Sequence, residues 1–185
     1  MNRQVIFNDD RDYAVFVGLL KRYLSSTPAK NSAGVQYPTY FGTVELLAFC
    51  LMPNHFHLLL YQQTVDAMKL LMKSVGVAYG MYFNDRYKRI GPVFQQRYRA
   101  SRISSDSYLL HISRYIHLNP NDYQHWQWSS LSYYTGLCSS DWLLPHRILN
   151  LFENQDYLEF VDEYKPTRDE LDKIKHELAI DPGEV

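Results

Sequence analysis

Apolar residues in the first quarter of the chain recur at helical spacing. Tyr13, Phe16, Val17, Leu20 and Leu24 share one face, which predicts a helix over 9–24. Asn8 or Asp9 stands where that helix needs an N-cap. The pattern stops at 25–42, a stretch rich in Ser, Pro and Gly that reads as loop. Residues 43–52 form a short apolar run, as a buried strand does, and Pro53-Asn54 makes a turn. Residues 55–61 read as a second strand, so 43–61 is expected to be a hairpin. Helical spacing returns over 65–84, with Val65, Met68, Leu71, Met72 and Val75 on one side and Gly76 and Gly80 as weak points. A connector follows over 85–104 around Gly91-Pro92, with a short strand expected near 97–103. Residues 105–119 predict a helix capped by Ser104 or Ser105, with Leu109, Ile112 and Ile116 as its buried stripe and Pro120 beyond its end. An aromatic loop over 121–140 precedes two further helices, 145–164 and 167–179. Helix, hairpin, helix, connector, helix is the order of an α+β fold with helices packed on an antiparallel sheet.

Composition narrows the class. A chain of 185 residues, 46% hydrophobic and 15% aromatic, has the material for one core and is not the composition of a disordered chain. Its apolar runs, such as Leu58-Leu59-Leu60, are far shorter than the ~20 residues that span a bilayer. No basic-then-apolar leader follows Met1, and Cys50 and Cys138 make neither a disulfide framework nor a four-ligand zinc site. The expectation is a cytoplasmic protein with no membrane partner.

Charge then separates the chain into regions. The totals nearly cancel, at 19 Lys plus Arg against 20 Asp plus Glu. Yet 69–102 holds eight basic residues against Asp85 alone, whereas 141–185 holds twelve acids against five bases. Tyr79, Tyr82, Phe83, Tyr87, Phe94 and Tyr98 are interleaved with the basic residues. Cations for phosphates beside flat rings for bases suit single-stranded nucleic acid, although an ordinary solvated face over core aromatics has the same composition. The division expected is a domain over 1–140 and an acidic helical extension over 141–185.

Two local patterns carry candidate chemistry. In His55-Phe56-His57, strand alternation points both imidazoles to one side and Phe56, Leu58 and Leu60 to the other. Paired imidazoles are a ready half-site for a divalent metal, while two unrelated histidines beside a turn are the plainer reading. On the 105–119 helix, His111, Tyr115 and Asn119 fall at steps of four and form a polar stripe. With 16 tyrosines in the chain, a packing role for any one of them is the plainer reading. Taken together, His55, His57 and the Asn119 carboxamide make a set that would hold Mg²⁺ or Mn²⁺ against a scissile phosphate. Tyr115, one turn before Asn119, is then the candidate nucleophile.

These segments resemble a known family. Cys50-Leu51-Met52-Pro53-Asn54-His55-Phe56-His57-Leu58-Leu59-Leu60 resembles the His–hydrophobe–His motif of the single-tyrosine HUH transposases. Tyr82-Phe83-Asn84, Arg86-Tyr87 and Gly91-Pro92-Val93-Phe94-Gln95-Gln96-Arg97-Tyr98 resemble its central segment. Arg114-Tyr115-Ile116-His117-Leu118-Asn119-Pro120 resembles its helix end, and Trp128-Ser129-Ser130-Leu131 a later motif. The similarity runs over about residues 2–135 and is nearest to the repeat-associated subgroup. It implies a ferredoxin-like sheet and a homodimer acting on single-stranded DNA, commonly a hairpin. It implies Tyr115 as a nucleophile forming a 5′-phosphotyrosine, with His55, His57 and Asn119 as ligands of Mg²⁺ or Mn²⁺. Arg86, Lys88, Arg89, Arg97, Arg99 and Arg102 are assigned to DNA phosphates by charge alone. The family's first strand, which usually precedes the segment matching Asn2–Phe7, is expected to be missing. That departure sustains a second reading, a non-catalytic DNA-binding remnant of such a transposase. A metal hydrolase with no covalent step is a third.

Overall fold

The computed structural model describes residues 4–152 and 156–164. An antiparallel hairpin of β1 (Val44–Met52) and β2 (His55–Gln62) stands between two groups of helices. Helices α1 (Asp10–Leu24) and α2 (Ala67–Tyr87) pack on one face with Val44, Leu46, Phe49 and Leu51. Helix α3 (Asp106–His117) covers the other face with Leu47, Ala48, Cys50 and Leu59. The short helices α4 (Leu131–Tyr134), α5 (His146–Leu149) and α6 (Tyr157–Asp162) complete that second cluster. The architecture is α+β, as the order of patterns predicts.

Register fixes which residues meet which helices. Cys50 pairs with His57 and Met52 with His55 across a turn closed by Pro53-Asn54. A bulge between Leu46 and Ala48 inserts Leu47 opposite the Leu60–Leu59 step. The extra residue explains why Leu46 and Phe49, an odd number apart, face the same cluster. Irregular chain covers the far edge of β1: Leu51 N–H donates to Trp128 O (2.9 Å), Ser130 N–H to Phe49 O (2.9 Å) and Leu144 N–H to Leu46 O (2.8 Å). Among the described residues the sheet therefore has two strands, fewer than a ferredoxin-like sheet contains. Ile6 and Phe7 meet the hairpin at its turn, where both backbone N–H groups donate to Pro53 O.

Asp9 caps α1 by accepting from the Arg11 and Asp12 amides. The same Asp9, with the fully buried Asp12, receives the Arg86 guanidinium at the end of α2. The Tyr82 and Tyr87 hydroxyls and the Asn8 backbone N–H also donate to Asp12, so its charge is shared among four partners. This cluster locks α1 to α2. Helix α2 runs past Gly76 and Gly80 to Tyr87 because Ala67, Leu71, Val75, Tyr79 and Phe83 bury one continuous stripe. Val65 lies before the helix and is 89% exposed, outside the stripe expected for it.

Three other expectations are corrected. Residues 97–103 alternate like a strand but pair with none among the described residues, so they stay irregular. The aromatic loop at 121–140 contains α4. The helix expected over 145–164 is divided into α5 and α6, and α6 starts afresh from its own cap, Asp156, which accepts from the Leu158 and Glu159 amides. The helix expected at 167–179 lies outside the described residues. No helix among them is long and apolar enough to cross a membrane.

Glu45 on β1 accepts from Arg147 Nε (2.6 Å) and Nη2 (3.0 Å). The Arg147 guanidinium holds the Glu45 carboxyl below its usual range, and Arg86 does the same to Asp9. A carboxylate depressed on folding stabilises the fold above its unfolded pKa, and that contribution is lost as pH falls through the folded one. Thermal melts should therefore drop as pH falls below about 4.5, and Glu45→Gln should reduce that drop. A variant with an unchanged melting profile across this range refutes the assignment.

Candidate active site

Alternation along β2 sends Phe56 to the α1–α2 face, against Phe16 (4.9 Å between ring centroids) and Phe94 (5.9 Å). His55 and His57 face the other way, toward α3. Their ring centroids are 5.0 Å apart with planes at 89°. Asn54 Oδ1 lies 2.7 Å from His55 Nδ1. With Nδ1 as the donor of that bond, Nε2 is the ring's lone-pair nitrogen, the state a metal ligand needs. Sequence reading treats Asn54 only as a turn residue, and its place directly before the first histidine is the signal of this second role.

Helix α3 supplies the phenol. Ser105 caps it by accepting from the Tyr108 amide, and Ile112 and Ile116 anchor it on the hairpin. Tyr115 meets the His57 ring edge-on, at 5.5 Å between centroids and 81° between planes. It is 3% exposed. Asn119, one turn on, donates from Nδ2 to Tyr115 O (3.2 Å). That bond satisfies an open carbonyl at the helix end and leaves the carboxamide oxygen as an acceptor. His111, on the same stripe, packs edge-on against Tyr164 (5.5 Å) beside Arg114, whose guanidinium lies over Phe160 and Tyr164.

A buried polar chain fixes α3 to β1. Ser130 Oγ accepts from Phe49 N–H (2.8 Å) and lies 2.7 Å from His117 Nε2. His117 Nδ1 lies 2.8 Å from the Tyr157 hydroxyl, which donates to Ser113 Oγ (3.0 Å), and Ser113 donates to Leu110 O (2.8 Å). Ser130 Oγ also lies 3.2 Å from Phe49 O, which competes with His117 Nε2 for its one proton. Burial pushes the His117 imidazole down to about 3. His117 and Ser130 lie inside quoted motifs, but burial is what shows their structural work.

The six basic residues assigned to DNA have different settings. Arg97, Arg99 and Arg102 are exposed along the connector. Lys88 is exposed and 3.3 Å from Asp85. Arg89 bonds the Gln4 side chain and lies over the Phe83 ring. Arg86 is the departure: its bonds to Asp9 and Asp12 tie helices together, a role that charge counting does not reveal.

Two imidazole nitrogens and one carboxamide oxygen are neutral, hard-to-borderline donors, a set that fits a divalent cation. Among the described residues no cluster of three His, Cys, Asp or Glu is placed to hold a metal.

Residues 40–119 match the family model described as "Transposase IS200 like". The matched stretch includes His55, His57, Tyr115 and Asn119. No curated protein and no solved structure matches the chain.

Ser130→Ala removes the acceptor of a buried backbone N–H and a partner of His117. A loss of about 1–3 kcal/mol in denaturant unfolding is expected. A change within error shows that the chain from β1 to α3 contributes nothing.

Proposed function

We propose, from the premise that residues 40–119 are IS200-like transposase sequence, that this chain is a tyrosine transposase that cuts and rejoins single-stranded DNA. The observation that carries the reading is the 5.5 Å approach of Tyr115 to His57, with His55 beside it. Without that approach, two histidines and a tyrosine are unrelated residues.

His55 Nε2, His57 and the Asn119 carboxamide oxygen are the groups that would hold Mg²⁺ or Mn²⁺. The cation would supply charge stabilisation at the scissile phosphate. The Tyr115 oxygen attacks phosphorus, the phosphorus–O3′ bond breaks, and the phenol proton is balanced by the one taken up at the leaving 3′ oxygen. The products are a 5′-phosphotyrosine and a 3′-hydroxyl, and reversal onto another 3′ end rejoins the strand. Asn119 holds the Tyr115 backbone through its Nδ2, so ligand and nucleophile move as one unit. Exposed Arg97, Arg99 and Arg102 neutralise strand phosphates, giving strongly salt-dependent binding. A hairpin substrate and a homodimer, with one copy's tyrosine helix able to serve the other's ligands, belong to the same proposal. So does the division into a catalytic domain over 1–140 and an acidic extension.

The burial of Tyr115 favours one second reading, a DNA-binding module that no longer cuts. The two readings separate on a denaturing gel of the protein with labelled hairpin DNA, run with Mn²⁺ or with chelator. The transposase gives a protein–DNA adduct in Mn²⁺ alone, and Tyr115→Phe abolishes it. An adduct that survives in Tyr115→Phe refutes the nucleophile. Binding without any adduct supports the module.

A further inference from the structure

Helix α2 has a second apolar face. Beside the buried stripe, Leu70, Val77 and Met81 project outward, 51%, 56% and 70% exposed. A surface helix ordinarily carries charge on that side, and a contiguous exposed apolar strip marks a binding surface. These three side chains border a groove of about 600 Å³ between α2, the last turn of α1 and residues 37–40. Arg22 lies over the Tyr37 ring (4.4 Å). The Tyr40 hydroxyl is held 2.7 Å from Ser74 Oγ and 3.1 Å from Leu70 O. Lys73 extends from the α2 wall. No Asp or Glu is among the described residues lining the groove.

Two cations, positioned tyrosine rings and an apolar strip, with no carboxylate, complement a ligand that is anionic along one side and flat and apolar along the other. Unpaired nucleotides have that form: phosphates meet Arg22 and Lys73, and bases lie on Tyr37, Tyr40 and the Val77–Met81 strip. A second copy docking groove to groove across a two-fold axis would bring two basic linings together with no lining acid to offset them. α1 and α2 pack on the hairpin face opposite α3, so the groove is separate from the histidine–tyrosine site.

We propose that this groove is a second binding site for single-stranded DNA, holding strand that lies away from the cleavage point. The proposal rests on the reading that the chain processes single-stranded DNA. The test uses the full chain in chelator, so that no cutting occurs, with a fluorescein-labelled mixed-sequence single strand. The double variant Arg22→Glu, Lys73→Glu should weaken binding about tenfold or more and flatten the log–log salt slope by about two counterions. As a second measurement, wild-type protein photo-crosslinked to bromodeoxyuridine-substituted strand should carry label on the peptide containing Tyr37 and Tyr40. Unchanged affinity in a folded double variant, or label confined to the 86–102 connector, overturns the proposal. So does an acidic peptide that occupies the groove without competing with the strand. Because binding is read without chemistry, its failure is distinguishable from the absence of a tyrosine adduct.

Discussion

Strand alternation in one hairpin is the constraint on which the rest of the molecule depends. Side chains two apart on β2 must point the same way, so burying Phe56 and Leu58 against α1 and α2 turns His55 and His57 toward α3. A slip of one residue would put both imidazoles into the apolar cluster and bring Phe56 to face Tyr115. The turn at Pro53-Asn54 opposes that slip, because the Ile6 and Phe7 amides both bind the Pro53 carbonyl. The bulge at Leu47 lets β1 keep its own apolar residues in the right clusters while this register is maintained.

The second requirement is that α3 approach the hairpin at a set height. Its apolar stripe places it on the sheet, and the chain from Phe49 through Ser130, His117 and Tyr157 to Ser113 fixes its C-terminal end. A buried imidazole kept neutral is costly unless both nitrogens are bonded, and here both have partners. Tyr115 and Asn119 lie on either side of that anchor. The phenol is nevertheless 3% exposed. Attack on a phosphodiester therefore requires movement that uncovers it, and an anchor at one end of α3 is compatible with such a displacement.

Much of this was legible in the chain itself. The periodicity of 9–24 located α1 and its Asp9 cap, and the apolar run at 43–52 with the Pro-Asn turn located the hairpin. Alternation alone gave the facing of His55 and His57. Features that depend on long-range partners were not legible. Arg86 counts as one more cation in a basic stretch until Asp12, buried and distant in sequence, is seen to need it. Strand-like alternation at 97–103 cannot reveal that no neighbouring strand is there to pair with it. The break between α5 and α6 is marked by Asp156, a capping residue inside an apparently continuous pattern. Leu70, Val77 and Met81 on α2 are apolar like its buried stripe, and only their exposure separates them from packing residues.

The most direct test of the central claim is a Mn²⁺ titration of the ¹⁵N-labelled protein, followed through paramagnetic broadening of the histidine side-chain resonances. If the hairpin and α3 assemble one cation site, His55 and His57 broaden first and together, with the Asn119 side-chain amide. His125 and His146 then broaden only at higher metal concentration. Broadening that begins at His125 or His146, or that spreads evenly over all histidines, contradicts the account.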